Sequence, residues 1–368
     1  MKPLITAAVL LLISMVSTAQ SSWTAWLYAA SDGSITRVNA NGEIIDVYRL
    51  PLSQAFNTYG DAAVASGSGR FVAYTAYDST APQLNRQLFV YDAGTGIIRF
   101  TYDLSDVTAI DFEQMARPTA FDEGAQTFAF GVLRGGQWEL VLADLTTEQV
   151  KGGGPLTEAL AGLPAGLPVV LHVQGDRVSF VIHTPGMALD STYDLYVWRP
   201  AQAPQVVGMS ALVADVRGFG ELVTPALEAD TPSMMTADSA MTTLAAKQDP
   251  YNAIDIYSPA SGSATRLSNL SGHISQVWWV AGGRQVLAAG SDDGGAPIFS
   301  VYGLDGSQVG QFSLVLEDVR GTPDGVAGLF DRDGALGLAH IETQNGTLAA
   351  RTVYTTTDRS VRLLLVAQ

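Results

Sequence analysis

The stretch Asp331 to Glu342, DRDGALGLAHIE, sets two carboxylates two residues apart and a glutamate at the twelfth place, the outline of a calcium loop. A complete loop of that kind carries a third oxygen ligand at its fifth position and glycine at its sixth. Here Gly334 is fourth and Ala335 fifth, so a hairpin turn with solvated Asp331 and Asp333 accounts for the residues better. Asp292 and Asp293 in SDDGGAP, Ser291 to Pro297, read the same way, as a loop first and a weak calcium site second. The four histidines, His172, His183, His273 and His340, are far apart, and none makes a His-Glu-x-x-His spacing. No metal or cofactor is therefore assigned, and calcium is the single ion with candidate ligands.

Nucleophilic chemistry leaves no trace either, since the chain has no Gly-x-Ser-x-Gly elbow and no glycine-rich phosphate loop. No catalytic residue is assigned. Trp278 and Trp279 are adjacent, and on a strand they must point to opposite faces. One is expected in the core between neighbouring sheets; the other is a candidate for a binding surface, against the alternative that it also packs.

These residues sit in a chain of 368 residues with 15% charged and 47% hydrophobic side chains, and with 37 glycines and 16 prolines spread along it. That composition suits a turn-rich globular protein rather than a disordered one. Twenty basic against 36 acidic residues give a net charge of −16, which repels nucleic acid and anionic lipid and favours a monomer. The first residues, MKPLITAAVLLLISMVSTAQ, read as a secretory signal, residues 1–19, cleaved after Ala19. Its apolar part is shorter than the roughly 20 residues of a membrane span, so stable membrane insertion is not expected after cleavage; a retained signal anchor is the alternative. With no cysteine, neither disulfides nor a lipoprotein anchor can form, and a bacterial protein exported to the periplasm or beyond is the simplest expectation.

The elements that position the candidate residues repeat. In SGSGRFVAYTAYDSTAPQLNRQLFVYDAGTG, Ser66 to Gly96, two strand-like runs alternate with glycine turns. The second run, ending Val90-Tyr91-Asp92, has counterparts at Val197-Trp198-Arg199, Ile256-Tyr257-Ser258 and Val301-Tyr302-Gly303, and weaker ones around Asn39, Ala143 and Ala339. Successive copies lie 37 to 59 residues apart, near the roughly 40 to 50 residues of a propeller blade. Each copy is preceded by a strand such as TFAFGVLR or MTTLAAKQ, and several are followed by a third such as GIIRFTYDL. Most pairs have a further polar-ended strand upstream, for example ARPTAFDEGAQ.

The chain is thus expected to be all-β, residues 20–368 forming a single β-propeller of seven four-stranded blades. The first unit lacks its upstream strand and RSVRLLLVAQ is left over at the end, so the C-terminal strand is expected to join the N-terminal blade and close the ring. The expected units are Ser22 to Leu50 with Arg359 to Gln368, then 55–105, 112–152, 166–210, 214–269, 272–314 and 316–356. Two irregular stretches keep six or eight blades open. GGGPLTEALAGLPAGLP offers a helical turn at LTEALAG, and the insertion from Glu221 to Asn252 reads as a surface loop or a helical excursion.

The glycine turn, apolar strand and Tyr-Asp-ended strand of SGSGRFVAYTAYDS and QLFVYDAGTG resemble the TolB-like and WD40-like β-propeller repeats, and TPDGVAGLF, Thr322 to Phe330, resembles their Pro-Asp-Gly turn. The resemblance implies the fold and leaves the activity open. It extends to prolyl-oligopeptidase propellers, but the hydrolase elbow is missing, and so are the Ser-x-Asp-x-Gly-x-x-x-Trp boxes of sialidase-type propellers. The function expected is an exported, non-catalytic scaffold that binds a protein or an envelope polymer through loops on one rim. The alternative is an enzyme of lactonase or lyase type at the channel mouth, with acids and histidines from several blades and a calcium ion. An element of a surface layer or filament is a third reading.

Overall fold

The structure is a computed structural model that describes residues 22–82, 84–114, 120–153, 166–183, 192–211, 215–217, 221–225, 233–238, 241–245, 253–258, 263–268, 270, 272–280, 285–292, 294–322, 325–332, 334–344 and 347–367. The secretory signal expected at residues 1–19 and the helical turn expected at LTEALAG lie outside the described residues.

Among the described residues, seven sheets share one plan of four antiparallel strands in series, and one further hairpin stands beside them. The second sheet shows the plan most plainly, with strands Thr58–Ala65, Phe71–Tyr77, Arg86–Asp92 and Ile97–Asp103. Phe71 to Ala76 are buried without a break, because this strand is covered on both faces; Ile97–Asp103 is largely exposed, because it forms one edge. The turn into Phe71–Tyr77 needs glycine at 69. Its φ is +74°, and a Cβ there would fall 2.6 Å from the Trp26 ring of the first sheet. The turn out of Arg86–Asp92 is held by Asp92, whose buried carboxylate accepts bonds from the Gly94 amide (3.0 Å), Arg70 (3.1 Å) and Arg99 (3.4 Å). The aspartate after Tyr91 therefore serves the turn.

The first sheet has the order Ile44–Arg49, Ser34–Asn39, Thr24–Ala29, Val361–Ala367. The last strand of the chain pairs antiparallel with the first, from Thr24 opposite Ala367 to Ala29 opposite Val361. The fourth sheet holds Leu167–Gln174, Arg177–His183, Thr192–Trp198 and Gln205–Ala211; the sixth His273–Val280, Gln285–Ser291, Pro297–Gly303 and Gln308–Phe312; the seventh Glu317–Gly321, Gly325–Arg332, Ala335–Gln344 and Thr347–Thr356. All seven residues aligned in the sequence, from Asn39 to Ala339, fall on the third strand of their sheets.

Two sheets depart from expectation. The third begins at Val107, not near 112, and its lead strand is broken. Val107–Ile110 and Phe121–Asp122 both pair with Thr127–Arg134, and a helical turn, Asp111–Gln114, starts where the first piece stops. Gln137–Asp144 and Gln149–Gly152 complete that sheet. In the fifth sheet, Asp215–Arg217, Glu221–Pro225, Ile254–Ser258 and Ser263–Leu267 are in series, so ELVTP, not MTTLAAKQ, precedes the Ile256-Tyr257 strand. Met241–Ala245 instead pairs with Ser233–Asp238, making a β-hairpin of an insertion expected to be loop or helix. This hairpin lies against Gln205–Ala211 of the fourth sheet and Glu221–Pro225 of the fifth.

Cores run between sheets. Trp26, Tyr28, Tyr59, Tyr74 and Phe89 join the first and second; Phe71, Phe121, Phe128, Phe130 and Phe180 join the second, third and fourth; Trp23, Leu27, Leu329 and Leu363 join the seventh and first. Ile254 and Leu267 pack on Val277 and Val286 between the fifth and sixth, and Phe299 on Ile341 between the sixth and seventh.

Candidate functional site

Register decides which side chains can meet at a loop end. In the first sheet Ala29 lies opposite Ser34 and Val361, and Ser34 opposite Arg49, so segments 30–33, 50–57 and 357–360 share one end. There a groove of about 530 Å³ is lined by Ser31, Asp32, Arg49, Leu50, Pro51, Leu52 and Tyr59, and segment 357–360 borders it through the bond of Ser31 to Asp358.

Its floor is apolar and its backbone is fixed. The Tyr59 hydroxyl donates to the Leu50 carbonyl (2.5 Å) and the Tyr74 hydroxyl to that of Pro51 (2.6 Å). Burial, the dominant cause, pushes both phenols up, so they stay protonated donors at neutral pH. Above the floor, Gly33 lies flat on the Tyr59 ring; its φ is +71°, and a Cβ there would overlap the ring carbons.

The wall is charged. Asp32 receives the Arg49 guanidinium at 2.8 Å and the Ser34 amide at 3.0 Å. Burial works to raise its carboxyl, but these bonds outweigh it and hold the group below the ordinary carboxylate range. Asp358 accepts the Ser31 hydroxyl (2.5 Å), the Ser360 hydroxyl (2.7 Å) and the Ser360 amide (2.8 Å). Its carboxyl is lowered too: burial and the charge of Asp32 raise it, while the serine bonds prevail. Both carboxylates are ionised at neutral pH. The arrangement can seat an apolar side chain on the floor and a polar or charged group against the wall.

The residues singled out in the sequence lie apart. Asp331 is exposed in the hairpin turn of the seventh sheet and pairs with Arg359; Asp333 lies outside the described residues. Asp292 turns its Oδ1 inward to accept the Gly294 (2.9 Å) and Ala296 (2.8 Å) amides, while Asp293 also lies outside the described residues. Trp278 is half-buried and stacks on Phe299 at 6.4 Å, against the core between the sixth and seventh sheets. The side chain of Trp279 is outside what is described. Among the described residues no three of His, Asp and Glu are grouped to hold a metal ion.

Two further arrangements carry chemistry on paper. His340 Nε2 is 3.1 Å from the Thr322 hydroxyl, and Nδ1 is 3.7 Å from Glu342, the order of a hydroxyl, imidazole and carboxylate relay. Thr322 and His340 are buried, with the edge of His340 against Trp23 (4.9 Å), so the group braces the seventh sheet on the first. Asp111, also buried, begins the helical turn in the broken lead strand. Its Oδ2 accepts the Val170 amide of the fourth sheet (3.0 Å) and its Oδ1 the Phe112 amide (2.8 Å). Burial raises its carboxyl to about 7 against the pull of those amides.

Sequence reasoning missed the groove. Its residues come from segments far apart in the chain, and the available signal was modest: the Asp-Gly turn at Asp32 and the Asp-Arg-Ser turn at Asp358.

Neither a protein-family model nor a curated protein matches the chain. Solved structures do. Apo AztD from Citrobacter koseri is 8% identical with a TM-score of 0.50, over 94% of this chain and 98% of that one. The C-terminal WD40 domain of Sif2 is 13% identical with a TM-score of 0.44, over 95% and 83%. TolB from Acinetobacter baumannii is 13% identical with a TM-score of 0.38, over 78% of this chain and 62% of that one, so the chain spans less than two thirds of TolB. The likeness to AztD is one of fold alone, and TolB and a WD40 domain, whose repeats the sequence resembles, are among the neighbours. No helix among the described residues is long and apolar enough to cross a membrane.

Proposed function

We propose that this chain is an exported, seven-bladed β-propeller acting as a non-catalytic scaffold, which binds a partner protein through the rim that carries the groove. The observation that carries the reading is the groove itself: about 530 Å³, with an apolar floor pinned by two tyrosines and a charged wall. Six four-stranded sheets and one of five strands among the described residues, with cores bridging most neighbours and the seventh to the first, support the ring. The pairing of the last strand with the first supports its closure. The apolar N-terminal run and the absence of cysteine support export, and the −16 charge supports a monomer.

The test compares photo-crosslinking of envelope extract to the wild type, to Leu52→Asp in the groove and to Glu123→Gln. Glu123 bonds Ser68 at the other end of the second sheet. One protein captured by the wild type and Glu123→Gln but not by Leu52→Asp is the expected result. Capture that ignores the groove substitution, or retention of a polysaccharide in place of a protein, overturns it.

A further inference from the structure

The charges around the groove do not balance, and the imbalance is local. Asp32 is matched by Arg49, and Asp331 by Arg359. Asp358 is ionised yet held only by serine hydroxyls and an amide, with no cation in an ion pair with it among the described residues. Asp358, bonded to Ser31 of the groove lining, is thus a carboxylate without a matching cation beside the apolar floor. Hydroxyl and amide donors stabilise the Asp358 anion without cancelling its charge, which stays available to a ligand.

Resting on the reading of the groove as a docking site, we propose that its occupant is a basic peptide segment of the partner protein: a lysine or arginine beside a bulky aliphatic residue. The aliphatic side chain lies on Pro51 and Leu52, and the cation meets Asp358 at the Ser31 edge. An acidic segment would be repelled by the same charges, so the groove discriminates by sign as well as by shape.

The probes are fluorescein-labelled heptapeptides with leucine-lysine-leucine, leucine-glutamate-leucine and glycine-lysine-glycine centres, read by anisotropy against the full chain. The first is expected to bind and the other two to bind at least about tenfold more weakly. Asp358→Asn keeps the shape and loses the charge, and is expected to weaken the first peptide about fivefold at low salt, with the difference shrinking as salt rises. Leu52→Ser, which leaves the charges alone, is expected to weaken it at all salt concentrations. Equal binding of the three peptides, no binding of any, or indifference to Asp358→Asn overturns the proposal. So does stoichiometric calcium binding that Asp358→Asn abolishes in the absence of peptide binding. A partner captured through the groove but unaffected by Asp358→Asn would sink this inference alone and leave the docking reading standing.

Discussion

Asp111 allows a prediction with a worked magnitude. It is buried, has no ion-pair partner among the described residues, and bridges the broken lead strand of the third sheet to Val170 of the fourth. Its carboxyl stands near 7 in the folded chain, against 3.8 for a solvated aspartate. The folded state therefore binds the proton more tightly, so the contribution to stability is greatest below about pH 4 and is lost as pH rises through about 7. At 1.36 kcal/mol per pH unit the loss is about 4 kcal/mol. Asp111→Asn is neutral throughout and removes that slope. Its amide nitrogen cannot accept, however, so either the Val170 or the Phe112 N–H is left without a partner at a cost of about 1–3 kcal/mol at every pH. Guanidinium unfolding of both chains from about pH 4.5 to 8.5 should give curves that cross, the wild type being more stable in acid and the variant in base. Shared contributions from other groups cancel in the difference. Parallel curves would refute the argument that burial outweighs the two amides at this site.

Gly33→Ala should destabilise the chain by about 1–3 kcal/mol in chemical unfolding, because the new methyl meets the Tyr59 ring in a left-handed backbone. It should also abolish crosslinking through the groove; full stability would show that segment 30–33 moves aside freely. Removing residues 361–368 strips the buried Val361, Leu363, Leu364 and Leu365 from two cores and bares the Thr24–Ala29 edge. Aggregation, or loss of cooperative unfolding, is expected in light scattering and calorimetry, and a monomeric cooperative truncation would count against the strand's role.

The architecture was legible because strand-like runs recur at a loose spacing along the chain, and the aligned residue of each falls on the third strand of its sheet. Where the run ends in Tyr91-Asp92 the aspartate also closes a turn, and turn chemistry is local. The fifth sheet misled because MTTLAAKQ is as strand-like as ELVTP, and only tertiary packing decides which of them pairs with Ile254–Ser258. The break at Asp111 was hidden for the opposite reason: DFEQ begins a helical turn inside a strand, where neither period survives. The groove was illegible because Ser31, Leu52 and Asp358 meet only once the sheets are assembled. Of the acidic pairs that looked most chemical, Asp292 is engaged by its own turn and Asp331 by Arg359.

The pairing of Thr24–Ala29 with Val361–Ala367 also imposes an order in time. A ribosome making roughly 5–20 residues per second needs about 20 to 70 seconds between emitting the one strand and the other. Throughout that interval the first sheet has an open edge carrying Trp26, Leu27 and Tyr28, and the strand that pairs with it has yet to be made. Sheets two to four can assemble as they emerge, but the first is completed only by Val361–Ala367. The nascent chain is thus held short of its finished state until those residues appear.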